Sequence, residues 1–284
     1  MPMEKHCDLH THSRCSDGTC TPAEIIDLAL QAGLSAVALT DHNTIDGLPA
    51  FLAAAEGKEI LAIPGVEIST GYREKELHIV GLFVKPSDYD AVTAFLENAN
   101  LRKEESNRKL IQALSQAGFS LDYDSILRAH PEGTVNRAVI AAALLEKGYV
   151  ASVEEAFQRL LHPRNGFYVP PERTCAFEAI RFLADLGIVP VLAHPFLNLT
   201  EDQLREFLTE AKKTGLGAME TVYSAYSPET EALAKKIAAQ FGLLSSGGSD
   251  FHGGNKPDIH LGTGKGTLSV PAAFAETLRE VSRK

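Results

Sequence analysis

Short β-branched or apolar runs that alternate with stretches of helical spacing constrain this chain most, because a parallel sheet or barrel is written along a sequence in that way. Seven runs read as strands: Cys7 to Leu9, Ala36 to Leu39, Ile60 to Ile63, Leu77 to Val84, Ile188 to Leu192, Ala218 to Val222 and Leu243 to Ser245. The stretches between them open on capping signals. In Thr21-Pro22-Ala23-Glu24 a threonine caps, a proline takes the first helical position and a glutamate reaches back, while Gly33 supplies the stop. Thr200 to Gln203 and Ser152 to Glu155 repeat the capping spacing, and Ser227-Pro228 opens a further helix. Between about Asn98 and His162 the alternation lapses, and four helical patterns follow one another without a strand. The fold class read from this is α/β, with residues 98–162 as an inserted small helical domain between the parts 1–97 and 163–284 of the main domain. In the insertion, Arg102-Lys103-Glu104-Glu105 reads as a solvated face and Ala138 to Leu145 as a packed helix.

Size and charge narrow the functions. A chain of 284 residues, 44% hydrophobic, can bury one barrel-sized core or two smaller ones. A net charge of -10 and a pI near 5.5 exclude a broad electrostatic grip on duplex nucleic acid. Small anions and short oligonucleotides stay open as substrates, since bound cations can supply positive charge locally. Met1 to Leu9 lacks the apolar segment of a secretion signal and no stretch is apolar enough to span a bilayer, so no membrane association and a cytoplasmic location are expected. The cysteines Cys7, Cys15, Cys20 and Cys175 are too sparse for a disulfide framework and are expected to be reduced. Cys15 and Cys20 lack the close Cys or Cys/His pair that would complete a zinc site, and are read as non-ligands.

Chemistry concentrates where strands give way to loops. In His10-Thr11-His12 the extended backbone puts both imidazoles on one side, within reach of one ion. A lone H-x-H says little, yet Asp17 follows in a Ser-Asp-Gly turn and Thr40-Asp41-His42 ends the second run. Glu67 follows the third run, His194 closes Val189 to Ala193, and Asp250-Phe251-His252 follows Leu243 to Gly248. His78 instead begins its run, which predicts a short hairpin or irregular strand there. Strand ends of a β/α barrel converge on one face, so these distant residues can form one site. Each of these histidines taken singly also fits an ordinary structural role, the role assigned to His6, His130, His162 and His260. Imidazoles with carboxylates and no thiolate suit manganese, zinc or iron. The set of nine (His10, His12, Asp17, His42, Glu67, His78, His194, Asp250 and His252) exceeds the four ligands of one tetrahedral ion and suits two or three divalent ions sharing a carboxylate.

The chain resembles the PHP (polymerase and histidinol phosphatase) domain proteins, a branch related to the amidohydrolases. The resemblance runs through D-L-H-T-H-S at Asp8 to Ser13, S-D-G-T at Ser16 to Thr19, A-L-T-D-H at Ala38 to His42, G-V-E-I-S at Gly65 to Ser69, L-H-I-V-G at Leu77 to Gly81, A-H-P at Ala193 to Pro195 and G-S-D-F-H-G at Gly248 to Gly253. It implies a distorted seven-stranded β/α barrel, (β/α)7, with a helical insertion. His10, His12, Glu67 and Asp250 would surround one ion; Glu67, His78 and His194 a second; and Asp17, His42 and His252 a third. Manganese is placed first, with zinc or iron as alternatives.

The helical insertion resembles that of stand-alone PHP phosphoesterases acting on nucleotides. Members often carry an R-P-H-like motif there, and Asn136-Arg137-Ala138-Val139 keeps the arginine with valine at the histidine position. The function implied is hydrolysis of the 3'-phosphate of nucleoside 3',5'-bisphosphates, of short 5'-phosphorylated oligoribonucleotides, or both. Clustered cations would activate water and neutralise phosphoryl charge. Asp17, His42, Glu67, Asp250 and His252 are the catalytic candidates. Glu67 would fix the spacing of the ions, Asp17, His42 and His252 would hold a third ion or protonate the leaving oxygen, and Arg137 and Arg14 would orient phosphate. The partner expected is thus a small phosphorylated substrate. The alternatives are a histidinol-phosphate or cyclic-phosphate hydrolase and, in another class, a non-catalytic metal-stabilised binding module.

Overall fold

Residues of one parity along a strand share a face of the sheet, and in this chain the inward parity is apolar at strand after strand. A computed structural model describes residues 5–129 and 135–282, so His130 lies outside the described residues. Packing divides the chain into two units, Met1–Thr93 with Thr174–Lys284, and Ala94–Arg173. The first holds the sheet: β1 (His6–Asp8), β2 (Ala36–Leu39), β3 (Leu61–Tyr72), β4 (Lys75–Leu82), β5 (Thr174–Cys175), β6 (Val189–Leu192), β7 (Ala218–Tyr223), β8 (Leu244–Gly248) and β9 (Val270–Pro271). Their order is β8-β7-β6-β4-β3-β2-β1-β9, with the two-residue β5 added to β3. Setting aside β5 and β9, seven strands remain, and the two ends of that set meet. Leu9 N–H donates to Gly247 O at 3.1 Å, Asp250 N–H to His10 O at 2.9 Å and His12 N–H to Phe251 O at 2.9 Å. A nearly closed, barrel-like α/β sheet results.

The interior cluster follows the parity. Cys7 and Leu9, Ala36 and Ala38, Val80 and Leu82, and Val189, Val191 and Ala193 are all buried in it. Helix α10 (Ala272–Ser282) adds Ala275 and Leu278. Other helices of this unit start as their sequences require. Thr21 caps α1 (Pro22–Gln31) in a capping box with Glu24, and Thr200 caps α8 (Glu201–Ala211) with Gln203. Ser227 caps α9 (Pro228–Gln240), with Pro228 at its first turn.

Two expectations about strands change in an instructive way. The third run was expected to stop near Ile63, with Glu67 beyond it. Instead β3 continues to Tyr72, because its second half pairs antiparallel with β4, from Gly65 opposite Leu82 to Tyr72 opposite Lys75. Only the first half pairs parallel with β2. The hairpin expected around His78 is therefore long and regular. It also explains why His78 begins its strand: β4 runs against its neighbours, so its N-terminal end lies level with their C-terminal ends.

The second unit is helical. The sequence reading set an insertion at residues 98–162; by packing this unit takes in Ala94–Arg173, and its first boundary falls inside the continuous helix α3 (Tyr89–Gln116). Then come α4 (Tyr123–Ala129), α5 (Arg137–Glu146) and α6 (Val153–Ala156), which runs into a π-helical turn at Phe157–Leu161. Leu110, Leu114, Ile140, Leu144 and Leu161 form its fully buried centre. No helix among the described residues is long and apolar enough to cross a membrane.

Candidate metal centre

Beyond the strand ends the backbone ladder continues, and this continuation aligns the site. Thr40 N–H donates to Thr11 O at 2.9 Å, Asn43 N–H to Glu67 O at 2.8 Å and Glu67 N–H to Asp41 O at 3.1 Å. His42 is thereby held beside Glu67 in a parallel bridge. Parity does the rest: Glu67 shares its face of β3 with Ile63, and His78 shares its face of β4 with Val80 and Leu82.

All nine residues expected as ligands meet in the first unit, around the fully buried Glu67. Its Oε2 lies 3.1 Å from His10 Nε2, 3.2 Å from His12 Nε2 and 3.0 Å from His42 Nδ1. The other oxygen, Oε1, lies 2.8 Å from His78 Nδ1 and 3.2 Å from His194 Nε2. Asp250 Oδ1 is 3.3 Å from His12 Nε2 and 3.7 Å from His10 Nε2. Asp17 completes the set, 3.2 Å from His252 Nε2 and 3.9 Å from His42 Nε2. Four groups have ligand atoms close enough to hold an ion: His12/Asp17/His42/His252, His10/Glu67/His194, His10/His12/Asp250 and His42/Glu67/His78. They interlock, with His10, His12, His42 and Glu67 each belonging to two.

Electrostatics and hydrogen bonding both fit divalent cations. Burial favours a neutral Glu67, but His10, His42 and His78 outweigh it and hold the carboxyl well below its ordinary range. For His12, burial is outweighed by Asp250 and Glu67, which push its pKa up to about 9; for His78, Glu67 and then Glu76 push it up to about 10. Yet Glu67 Oε2, His10 Nε2, His42 Nδ1 and both ring nitrogens of His12 are buried without a hydrogen-bond partner. Buried polar atoms left in that state are costly, and the donor set is imidazole and carboxylate, as manganese, zinc or iron would require.

Several residues missed from the sequence hold the ligands in place. Glu220 Oε1 lies 2.8 Å from His10 Nδ1, and its Oε2 accepts the His194 N–H at 2.6 Å. The first contact selects the His10 tautomer that turns the Nε2 lone pair toward the cluster. Asp8 accepts N–H bonds from His10, Ser249 and Gly262. Asp41 accepts from Ser13 N–H and from the hydroxyls of Ser13 and Ser16, shaping the loop that carries Asp17. Tyr223 OH and Lys256 Nζ meet the same oxygen of Asp250, Oδ2, at 2.8 and 2.6 Å. Burial and Asp250 raise the Tyr223 phenol, so it stays a donor. One signal could have found Asp8 and Glu220: each is a carboxylate inside an otherwise apolar run. Two candidate ligands also carry backbone strain, His194 at φ 29° and Asp250 at φ 58°, positions that cost about 1–3 kcal/mol each for residues with a Cβ.

The chain belongs to the PHP domain family. The family's model matches residues 8–169. Among its relatives is a 5'-3' exoribonuclease of Haemophilus influenzae, 33% identical over 88% of this chain and 91% of that one. A 3',5'-nucleoside bisphosphate phosphatase of Chromobacterium violaceum is 31% identical over 86% of both chains. A solved structure from Bifidobacterium adolescentis, described as a metal-dependent phosphoesterase, superposes with a TM-score of 0.84 at 27% identity, covering 99% of this chain and 96% of that one.

Residues outside the cluster have other surroundings. The exposed Arg14 follows the His12 segment, bonds through its N–H to Cys20 O, and acts electrostatically on Glu24. Arg137 is the first residue of α5 in the helical unit, where its guanidinium lies 4.5 Å from the centre of the Tyr168 ring. His6 contacts the Ser269 hydroxyl, His162 caps a short turn, and His260 pairs with Gly264 through the backbone. None of Cys7, Cys15, Cys20 and Cys175 is joined in a disulfide.

Proposed function

We propose that this PHP phosphoesterase hydrolyses phosphate esters of nucleotides, taking the 3'-phosphate from nucleoside 3',5'-bisphosphates, short 5'-phosphorylated oligoribonucleotides, or both. The observation that carries the reading is the convergence of five imidazoles on the buried Glu67, with Asp17, Asp250 and His252 beside them. The relatives' names support the nucleotide class. Manganese is the ion proposed first, with zinc or iron as alternatives.

When bound, divalent cations supply charge neutralisation for the phosphoryl oxygens and lower the pKa of water. In the reaction, a water oxygen bonds to phosphorus, the ester P–O bond breaks, and the departing oxygen takes a proton. The chain's residues make that possible by position. Glu67 ties the segments of β1, β2, β4 and β6 together, so the imidazoles do not reorganise during the reaction. Glu220 fixes the His10 tautomer, and Tyr223 with Lys256 turns Asp250 Oδ1 toward His10 and His12. Where no third ion is held, His252, paired with Asp17, is the proton donor to the leaving oxygen. Arg137 and Arg14 are proposed to orient phosphate through planar N–H donors.

The test uses metal-quantified protein against adenosine 3',5'-bisphosphate, mononucleotides, histidinol phosphate, a cyclic phosphate and short 5'-phosphorylated RNA. Release of phosphate from the bisphosphate or shortening of the RNA, lost on chelation, is the expected result. Preference for histidinol phosphate or the cyclic phosphate would replace the nucleotide reading. Metal binding without turnover of any substrate would mark a binding module instead.

A further inference from the structure

A cluster of imidazoles and carboxylates recognises phosphate through metal ions, and nothing in such a cluster distinguishes a nucleotide from any other phosphate ester. Discrimination needs a surface that meets the rest of the substrate. At the site end of β6 and β7 successive ring contacts connect the candidate ligand His194 to three aromatic side chains. The His194 ring lies 5.3 Å from Tyr223, Tyr223 lies 5.3 Å from Tyr226, and Tyr226 lies 5.8 Å from Phe196 at 69° between the planes. The inner members are committed: His194 faces Glu67, and the Tyr223 hydroxyl holds Asp250. The outer two, Phe196 and Tyr226, are only half-buried. Their mutual geometry is fixed, since the Tyr226 hydroxyl oxygen accepts the Phe196 N–H at 3.1 Å. Leu197, beside them, is 51% exposed.

We propose that Phe196 and Tyr226, with Leu197 at the margin, form the subsite that stacks the base of the substrate. The proposal deepens the nucleotide-phosphoesterase reading and rests on it. Aromatic faces stack on any base without reading its edge, so the subsite selects substrates that carry a base over those that do not, with little preference among bases. Phe196 comes two residues after the ligand His194, and Tyr226 three residues after Tyr223. The same two loops that position the metal centre therefore carry the platform, which ties base position to phosphate position. A pair that served only to pack these loops against each other would affect all substrates alike.

The measurement is a ratio of kcat/KM values on the metal-loaded chain: adenosine 3',5'-bisphosphate against the same ribose bisphosphate with hydrogen in place of the base. Phe196→Leu keeps an apolar side chain of similar bulk and removes the aromatic face. The ratio is expected to fall about tenfold or more in that variant and to recover in Phe196→Trp. An unmoved ratio in a folded Phe196→Leu chain overturns the subsite. If that variant does not fold, Tyr226→Leu is read by the same ratio and the same criterion. Should the unaltered chain hydrolyse neither compound, the bisphosphate-phosphatase reading fails and the subsite with it. Hydrolysis of both at a ratio the substitutions do not move removes the subsite alone.

Discussion

An ionised carboxylate taken wholly out of water costs several kcal/mol unless its surroundings restore the lost solvation, and Glu67 is the residue on which that cost falls. Two of its five imidazole neighbours are themselves held by Glu220, which touches His10 Nδ1 and the His194 N–H at once. Glu220→Gln keeps the shape and removes the charge. Metal affinity should drop by roughly 10–100-fold, read by competition with a chromogenic chelator, and an unchanged affinity would remove Glu220 from the support of the site. Protonation gives a second prediction. In the metal-free chain the pKa values of His12 and His78 are raised to about 9 and about 10, against about 6.5 for an unfolded histidine. These imidazolium pairs contribute stability that is fully present below the unfolded pKa and is lost as pH rises through the folded ones. The Tm of chelator-treated protein should therefore decline from about pH 6.5 to about pH 10. A flat or rising Tm across that window would show that these pairs do not stabilise the metal-free fold.

Among the elements, closure of β8 against β1 decides whether the two halves of the ligand set meet. Gly248 allows it: a Cβ there would lie 2.4 Å from His10 Cβ and 2.5 Å from His10 N. Gly248→Ala should push β8 off His10, lowering both Tm and bound metal, measured by calorimetry and elemental analysis on the same sample. A variant with full metal content would mean that the contact tolerates displacement. This level also separates what could be read from the sequence and what could not. The alternation of runs was enough for the seven barrel strands, though not for the second half of β3 or for the short β5 and β9, and candidate ligand residues at strand edges were enough to pick out nine side chains that meet, since imidazoles and carboxylates beside apolar runs stand out. Direction was harder. A strand's sequence looks the same whichever way it runs, so only the odd placement of His78 hinted that β4 is antiparallel. For Glu220 the carboxylate inside an apolar run marks the residue but not its role, which depends on a contact 210 residues away in sequence. The boundary of the helical unit at Ala94 falls inside one uninterrupted helix, where no break in periodicity marks it.

For the whole molecule, the formal charge of -10 opposes an anionic substrate unless the site inverts it locally, and bound divalent ions are the means the fold provides. Folding brings the candidate ligands together from segments that span most of the first unit, so an ion held there would link its binding to the stability of that unit. Asp250→Asn weakens a ligand while leaving the strands intact, and should abolish turnover and lower metal content at nearly unchanged secondary structure. The most direct test of this account is the number of divalent ions bound per chain, determined by elemental analysis on purified protein of known concentration and repeated on Asp250→Asn. Two or three equivalents in the unaltered chain, with fewer in the variant, is the expected outcome; one equivalent or none in the unaltered chain, after saturation with manganese, zinc or iron, would contradict the shared centre around Glu67.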